Sequence, residues 1–185
     1  MDPVTVTATV GRPREEVFEY LADIANHAEF TDHFLKDFRL TREQSYGRGA
    51  GARYRLSMPL NRFPWADATI VEFDPPYRLV EAGRAGKFNR IKVTTEYRLY
   101  EGAGDTTRIE LTSETEPPLI TDKLLERLGA RGWVKRQNRR ALRRLRAILE
   151  DGEERGTRAT LADGPRKPAS AFRFRPELFR SGANR

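Results

Sequence analysis

Val4, Val6, Ala8 and Val10 are apolar, and Thr5, Thr7 and Thr9 between them are polar. A period of two predicts a half-buried strand with the valines inward. Gly11-Arg12-Pro13 ends that pattern. Proline suits a first helical turn, where its missing N–H would be unpaired anyway, and Glu15 and Glu16 suit the positive end of a helix. Val17, Phe18, Leu21 and Ile24 then form the stripe of a short helix, and a second short helix fits Asn26 to Phe34. From Lys36 the period returns to two. Phe38 and Leu40 lead through the glycine-rich turn SYGRGAG into Tyr54, Leu56 and Met58, and the proline-broken loop PLNRFPW leads into two strands hinged at Asp74-Pro75-Pro76.

Two longer strands follow. Ile91, Val93, Thr95, Tyr97 and Leu99 alternate with Arg90, Lys92, Thr94, Glu96 and Arg98, and Ile109, Leu111, Ser113 and Thr115 alternate with charged and hydroxyl residues. One face wet and one covered is the mark of an antiparallel sheet. Pro117-Pro118 closes the last strand, and a long helix is expected from about Leu119 to Glu150. Ile120, Leu124, Leu128, Leu142, Leu145 and Leu149 share one helical stripe. In its middle that stripe carries Arg131, Lys135 and Asn138, and Gly129 and Gly132 interrupt the helix there. Each glycine costs about 1 kcal/mol relative to alanine unless close packing or a bend requires it.

Charge changes this picture at one end only. The 185 residues carry a formal net charge of +7. Residues 119–150 hold 10 Lys and Arg against 3 Asp and Glu, and residues 151–185 hold 8 against 5, so residues 1–118 hold 16 against 19. The positive excess lies on the C-terminal helix and its tail. The chain has no cysteine, which excludes disulfides, thiolate metal sites and a cysteine nucleophile. No apolar run approaches about 20 residues and the start lacks a basic, then apolar, leader, so a cytoplasmic protein is expected. Residues 1–150 read as one domain. Residues 151–185 read as a Pro/Gly/Arg-rich tail whose end, AFRFRPELFR, alternates phenylalanine with arginine and would suit a short docked arm.

The stretch TATVGRPREEVFEYLADIANHAEF, the strand junction VEFDPPYRLV and the closing LRRLRAILE resemble the START-like (SRPBCC) superfamily, and within it the polyketide cyclase/dehydrase and lipid-transport family. The resemblance spans roughly residues 2–150 and departs from the usual pattern at Phe30, where a tryptophan is common. It implies an α+β helix-grip fold: a curved antiparallel sheet wrapped around a long C-terminal helix, with two short helices after the first strand. Such a sheet leaves a mostly apolar cavity, for which the covered faces nominate Tyr54, Met58, Thr95, Tyr97 and Ser113 as lining. Leu124 and Leu128 would contribute from the helix, and Trp65 with Phe63 from the rim.

Glu81 shares a face with Tyr77 and Leu79. An inward carboxylate there either acts as a general base, its pKa raised by burial, or is paired with an arginine such as Arg55 or Arg84. His27 and His33, the only histidines, lack ligand spacing and are expected on an exposed helix surface, so no metal and no cofactor is expected. The leading expectation is binding of a hydrophobic small molecule, lipid or polyketide-like, between sheet and helix. One alternative is an interaction protein contacting ribosome, RNA or an anionic membrane through Arg136, Arg139, Arg140 and Arg143. The other is an aromatase/cyclase-like enzyme.

Overall fold

Seven antiparallel strands form one curved sheet, and every expected turn falls between two of them. The structure, a computed structural model, describes residues 1–59, 61–119, 129–152, 156 and 159–161. The strands are β1 (Val4–Val10), β2 (Leu35–Leu40), β3 (Gly51–Leu56), β4 (Trp65–Asp74), β5 (Arg78–Ala85), β6 (Ile91–Glu101) and β7 (Thr107–Glu116). A short β8 (Thr160–Leu161) pairs in parallel with β2, and the spatial order is β1-β7-β6-β5-β4-β3-β2-β8. Helices α1 (Arg14–Ala22) and α2 (His27–Thr31) follow β1, joined by a 3-10 turn over Ile24–Asn26. Met58 falls just beyond β3, in the loop to β4, because the strand ends at Leu56.

The pairing register fixes which residues share the inner face. Residues directly opposite one another point the same way, so the inner rows can be followed across the sheet. Val6, Leu111, Tyr97 and Leu79 make one row, and Val4, Ser113, Thr95, Glu81 and Ile70 the next. Beyond it come Thr115, Val93, Gly83, Ala68 and Ala52, then Ile91, Ala85, Ala66 and Tyr54. A close approach sets one member of this series: a Cβ on Gly83 would lie 1.7 Å from the Asp67 carbonyl oxygen. Only glycine lets β4 and β5 come together there.

Helix α3 (Arg131–Asp151) closes the inner face by burying Asn138, Ala141, Leu142, Leu145 and Ile148. That spacing is the 3.6-residue stripe expected of its second half. Its C-terminal end is tied down by the β1–α1 turn: Arg12 Nε donates to the Leu149 carbonyl at 2.8 Å and Arg12 Nη2 to the Glu150 carbonyl at 3.2 Å. Gly152, at φ 69°, ends the helix by donating its N–H to Ile148. The expected helix began near Leu119; the described part begins at Arg131, residues 120–128 lying outside the described set. Gly129, at φ 117°, needs a backbone that side chains disfavour. Gly132 needs nothing of the kind, since an added Cβ would meet no atom within 4 Å.

The core is concentrated toward the α1 side. Phe18, Leu21, Ile24 and Phe30 of the helical segment pack with Ile70, Leu79, Leu99, Ile109, Leu142 and Leu145, all fully buried or nearly so. Among the described residues, no helix is long and apolar enough to cross a membrane.

These contacts make two glycines behave oppositely. Gly83→Ala is expected to destabilise the protein by about 2 kcal/mol or more, because the methyl must displace backbone. Gly132→Ala should stabilise it by up to about 1 kcal/mol, since it costs no contact and restricts the unfolded chain. Urea denaturation of the two variants checks both signs.

Candidate functional site

Glu81 and His27 meet inside the protein. Glu81 lies in the middle of β5 on the inner face, 8% exposed, and His27 is the first residue of α2, 3% exposed. Asp23 bends the chain into α2 by accepting from the Ala25 N–H at 3.0 Å, and Asn26 Nδ2 donates to the Tyr20 carbonyl at 2.9 Å. These two local bonds direct the His27 ring toward the sheet. Its Nε2 lies 2.8 Å from the Leu21 carbonyl oxygen and its Nδ1 lies 2.8 Å from Glu81 Oε1.

The protonation state follows from these neighbours. A carbonyl oxygen only accepts, so Nε2 must carry a proton. Nδ1 and a carboxylate oxygen approach this closely only with a second proton between them. The pair is therefore an imidazolium beside a carboxylate, or its proton-shifted equivalent. Burial, the largest single influence, opposes the charge on His27. The Glu81 carboxylate, the Leu21 carbonyl and Asp23 together override it, so the His27 pKa lies above the usual imidazole value.

The expectation of an exposed histidine is thus corrected for His27, and so is the expectation of an arginine partner for Glu81. Arg55 pairs with Asp37 instead, and Asp67 accepts from the Arg84 backbone N–H. No spacing rule links His27 to Glu81, because only the tertiary fold joins them. His33 is also drawn in: its Nε2 approaches the Gln137 carbonyl at 3.3 Å and its ring packs on Phe34. Burial, with the charges of Arg140 and Arg144 adding to it, lowers the His33 pKa to about 4.

Around the pair the inner face is polar but under-satisfied. Thr95 is the direct neighbour of Glu81 on β6, and Ser113 the neighbour of Thr95 on β7. Asn138 of α3 donates from Nδ2 to Ser113 Oγ at 2.9 Å. Tyr97 lies edge-on to the His27 ring at 5.6 Å, and Tyr54 stacks on Phe38 at 5.5 Å. Burial raises the pKa of both phenols, and the Glu81 charge raises each further, so both stay protonated donors. Among the described residues, neither hydroxyl has a hydrogen-bond partner, although Tyr97 is only 4% exposed.

Beside these groups the side chains shrink. Ala52, Ala66, Ala68, Gly83 and Ala85 occupy the inner positions of β3, β4 and β5, and the flanking Tyr54, Leu56, Ile91, Val93 and Thr95 are only partly covered. The sheet is packed solid against α1 and α3 at one end and relaxes toward the other. Of the residues nominated from sequence, the structure places Tyr54, Thr95, Tyr97 and Ser113 on this face around Glu81. Met58 stands on the adjoining loop. Trp65 pairs with Arg55 and so takes the opposite face, its ring under the Arg53 guanidinium at 5.4 Å. Leu124 and Leu128 lie outside the described residues. Arg136, Arg139 and Arg143 are exposed on α3, whereas exposed Arg140 stands near enough to His33 to depress its pKa. No group of three or more metal-ligating side chains occurs among the described residues.

A curved antiparallel sheet closed by a C-terminal helix, its inner face half filled, defines a helix-grip protein. The family model for polyketide cyclase / dehydrase and lipid transport proteins matches residues 1–150, and the chain belongs to that family. Solved structures share its fold at low sequence identity. A Nitrosospira multiformis protein is 16% identical, with 81% of this chain and 97% of that one covered and a TM-score of 0.59. A Helicobacter pylori protein is 13% identical, covers 80% and 88%, and has a TM-score of 0.62. A protein from the dynemicin biosynthetic locus, DynU16, is 20% identical, covers 83% of this chain and 49% of its own, and has a TM-score of 0.52. No curated protein matches the chain.

The two histidines titrate in opposite directions, which NMR of the ring nitrogens resolves. His27, with its pKa raised, should stay doubly protonated above pH 6.5. Its contribution to stability is complete below that pH and fades as pH rises through the higher folded-state value. His33 should stay neutral down to about pH 4, so its contribution is present above pH 6.5 and is lost as pH falls toward 4. Glu81→Gln leaves a buried imidazolium without its partner. It should lower the His27 pKa and cost about 3 kcal/mol or more at pH 6.

Proposed function

We propose that the protein binds a hydrophobic small molecule on the open half of the inner face, lipid or polyketide-like in character, with at least one hydroxyl or carbonyl group. One observation carries this reading. The hydroxyls of Tyr54 and Tyr97, without hydrogen-bond partners among the described residues, share the inner face with Glu81 and with positions kept small at Ala66, Ala68, Gly83 and Ala85. Native interiors satisfy their buried polar groups almost completely, so such a cluster points to a ligand or ordered water as the missing partner. Membership of the family supports the same reading.

Affinity would come mainly from apolar contact with Leu56, Ile91, Val93 and the alanines, at roughly 25 cal/mol per Å² of apolar surface removed from water. Orientation would come from the tyrosine hydroxyls as donors and Glu81 as acceptor. The His27–Glu81 pair favours binding over catalysis. Both ring nitrogens of His27 are engaged within the protein, so the imidazole holds Glu81 in place and has no free nitrogen to offer a substrate. A cyclase-like reaction would then depend on Glu81 alone.

Titration with the uncharged dye Nile red, alongside native mass spectrometry of freshly purified protein, tests the proposal. Saturable uptake is expected, weakened tenfold or more by Val93→Trp, which fills the open half. It should be little changed by 0.5 M salt, because burial rather than charge drives it. Absence of uptake, or uptake indifferent to Val93→Trp, would count against the site.

A further inference from the structure

The edge strand β1 and helix α3 enclose a second concavity, to one side of the inner face. It measures about 690 Å³ and is lined by Thr7, Ala8, Gly132, Lys135, Arg136, Arg139, Leu142 and Arg143. Its floor is apolar, from Ala8 and the buried Leu142, and its helix wall is cationic. β1 is the terminal strand of the sheet, and among the described residues no further strand closes that side.

Three features of this groove stand without structural return. Lys135, Arg136, Arg139 and Arg143 have no acidic partner among the described residues. On the same helix, outside the groove, Arg144 pairs with Asp32 and Arg146 with Glu150. The groove cations also repel one another, since Lys135, Arg139 and Arg143 succeed each other at i,i+4 spacing, where like charges destabilise a helix. Gly132, meanwhile, opens the wall where any side chain would fit, an added Cβ meeting no atom within 4 Å. Charge and volume are both arranged against an empty groove and toward a filled one.

We infer that this groove binds a soluble, multiply charged anion: a small molecule with two or three linked phosphates on an organic body. The volume suits a ligand of nucleotide size, within the usual range of about 300–1,000 Å³. Three guanidinium groups match phosphate oxygens in forked pairs, Lys135 supplies a point charge, and the floor of Ala8 and Leu142 accepts the organic part. Among the described residues no base-stacking aromatic lines the groove, which favours a compact anion over a single-stranded nucleic acid. The site is separate from the inner face and does not rest on the ligand proposed there.

Calorimetric titration of the full chain with inorganic tripolyphosphate and with adenosine triphosphate, at about 0.15 M salt, tests the inference. One-to-one binding is expected, tighter for the nucleotide because its body reaches the apolar floor, and weakening as salt rises. Arg139→Gln should lower affinity tenfold or more. Arg146→Gln, the same charge change on the same helix but outside the groove, should lower it less than twofold. Gly132→Glu places an acid in the groove at a helix position that tolerates it, and should abolish binding while circular dichroism stays unchanged. Equal losses in the two arginine variants, or no binding of either anion, would overturn the assignment. So would binding confined to an oligonucleotide or to anionic phospholipid vesicles, which would make the stripe a macromolecular surface.

Discussion

A carboxylate withdrawn from water stays charged only if something nearby keeps a compensating proton. In this protein that condition binds the architecture together. Glu81 sits in the middle of the sheet and His27 at the start of α2, and each is placed by the other. The imidazole is held from behind by the Leu21 carbonyl at the end of α1, so one ring links both short helices to β5. The pairing joins the buried Phe30 and the Arg144–Asp32 ion pair in holding α2, which at five residues is too short to persist alone.

The same pair divides the inner face. On its α1 side, Leu79, Tyr97, Leu99, Ile109 and Leu111 meet the leucines of α3 and leave little room. On its other side the residues are small or only partly covered, and the hydroxyl of Tyr54 lacks a partner among the described residues. A charged boundary at that point serves both halves: it ends the solid core and supplies an acceptor to whatever occupies the space beyond. The excess of arginine falls outside this interior, on the flank of α3 that meets β1. The two proposed sites therefore use opposite physics, apolar burial in one and charge neutralisation in the other, on two sides of one helix.

Much of the fold was legible because its signals are local. Alternation in Val4–Val10 and in Ile91–Leu99, the prolines at 13, 75, 76, 117 and 118, and the stripe of Leu142 and Leu145 each report on a few consecutive residues, and the strands, turns and closing helix followed from them. Face assignment succeeded for Thr95, Tyr97 and Ser113 for the same reason. Trp65, expected on the proline loop at the rim, instead begins β4 opposite Arg55, with its indole on the outer face. The site's chemistry was less legible. Glu81 stood out as an inward carboxylate, but its partner is a histidine from a helix remote in sequence, and nothing in the spacing of Asn26-His27-Ala28 reveals burial. Nothing in the sequence around Gly83 announces the close approach of Asp67 that requires a glycine there.

The account depends on an accessible interior beyond the Glu81 row. Amide chemical-shift mapping with 1-naphthol, an uncharged aromatic alcohol, addresses that directly. The largest shifts are expected at Gly83, Val93, Thr95 and Tyr54, with the solid half around Leu99 and Ile109 unmoved. Shifts scattered over the outer surface, or none at saturating probe, would mean that this interior admits no guest.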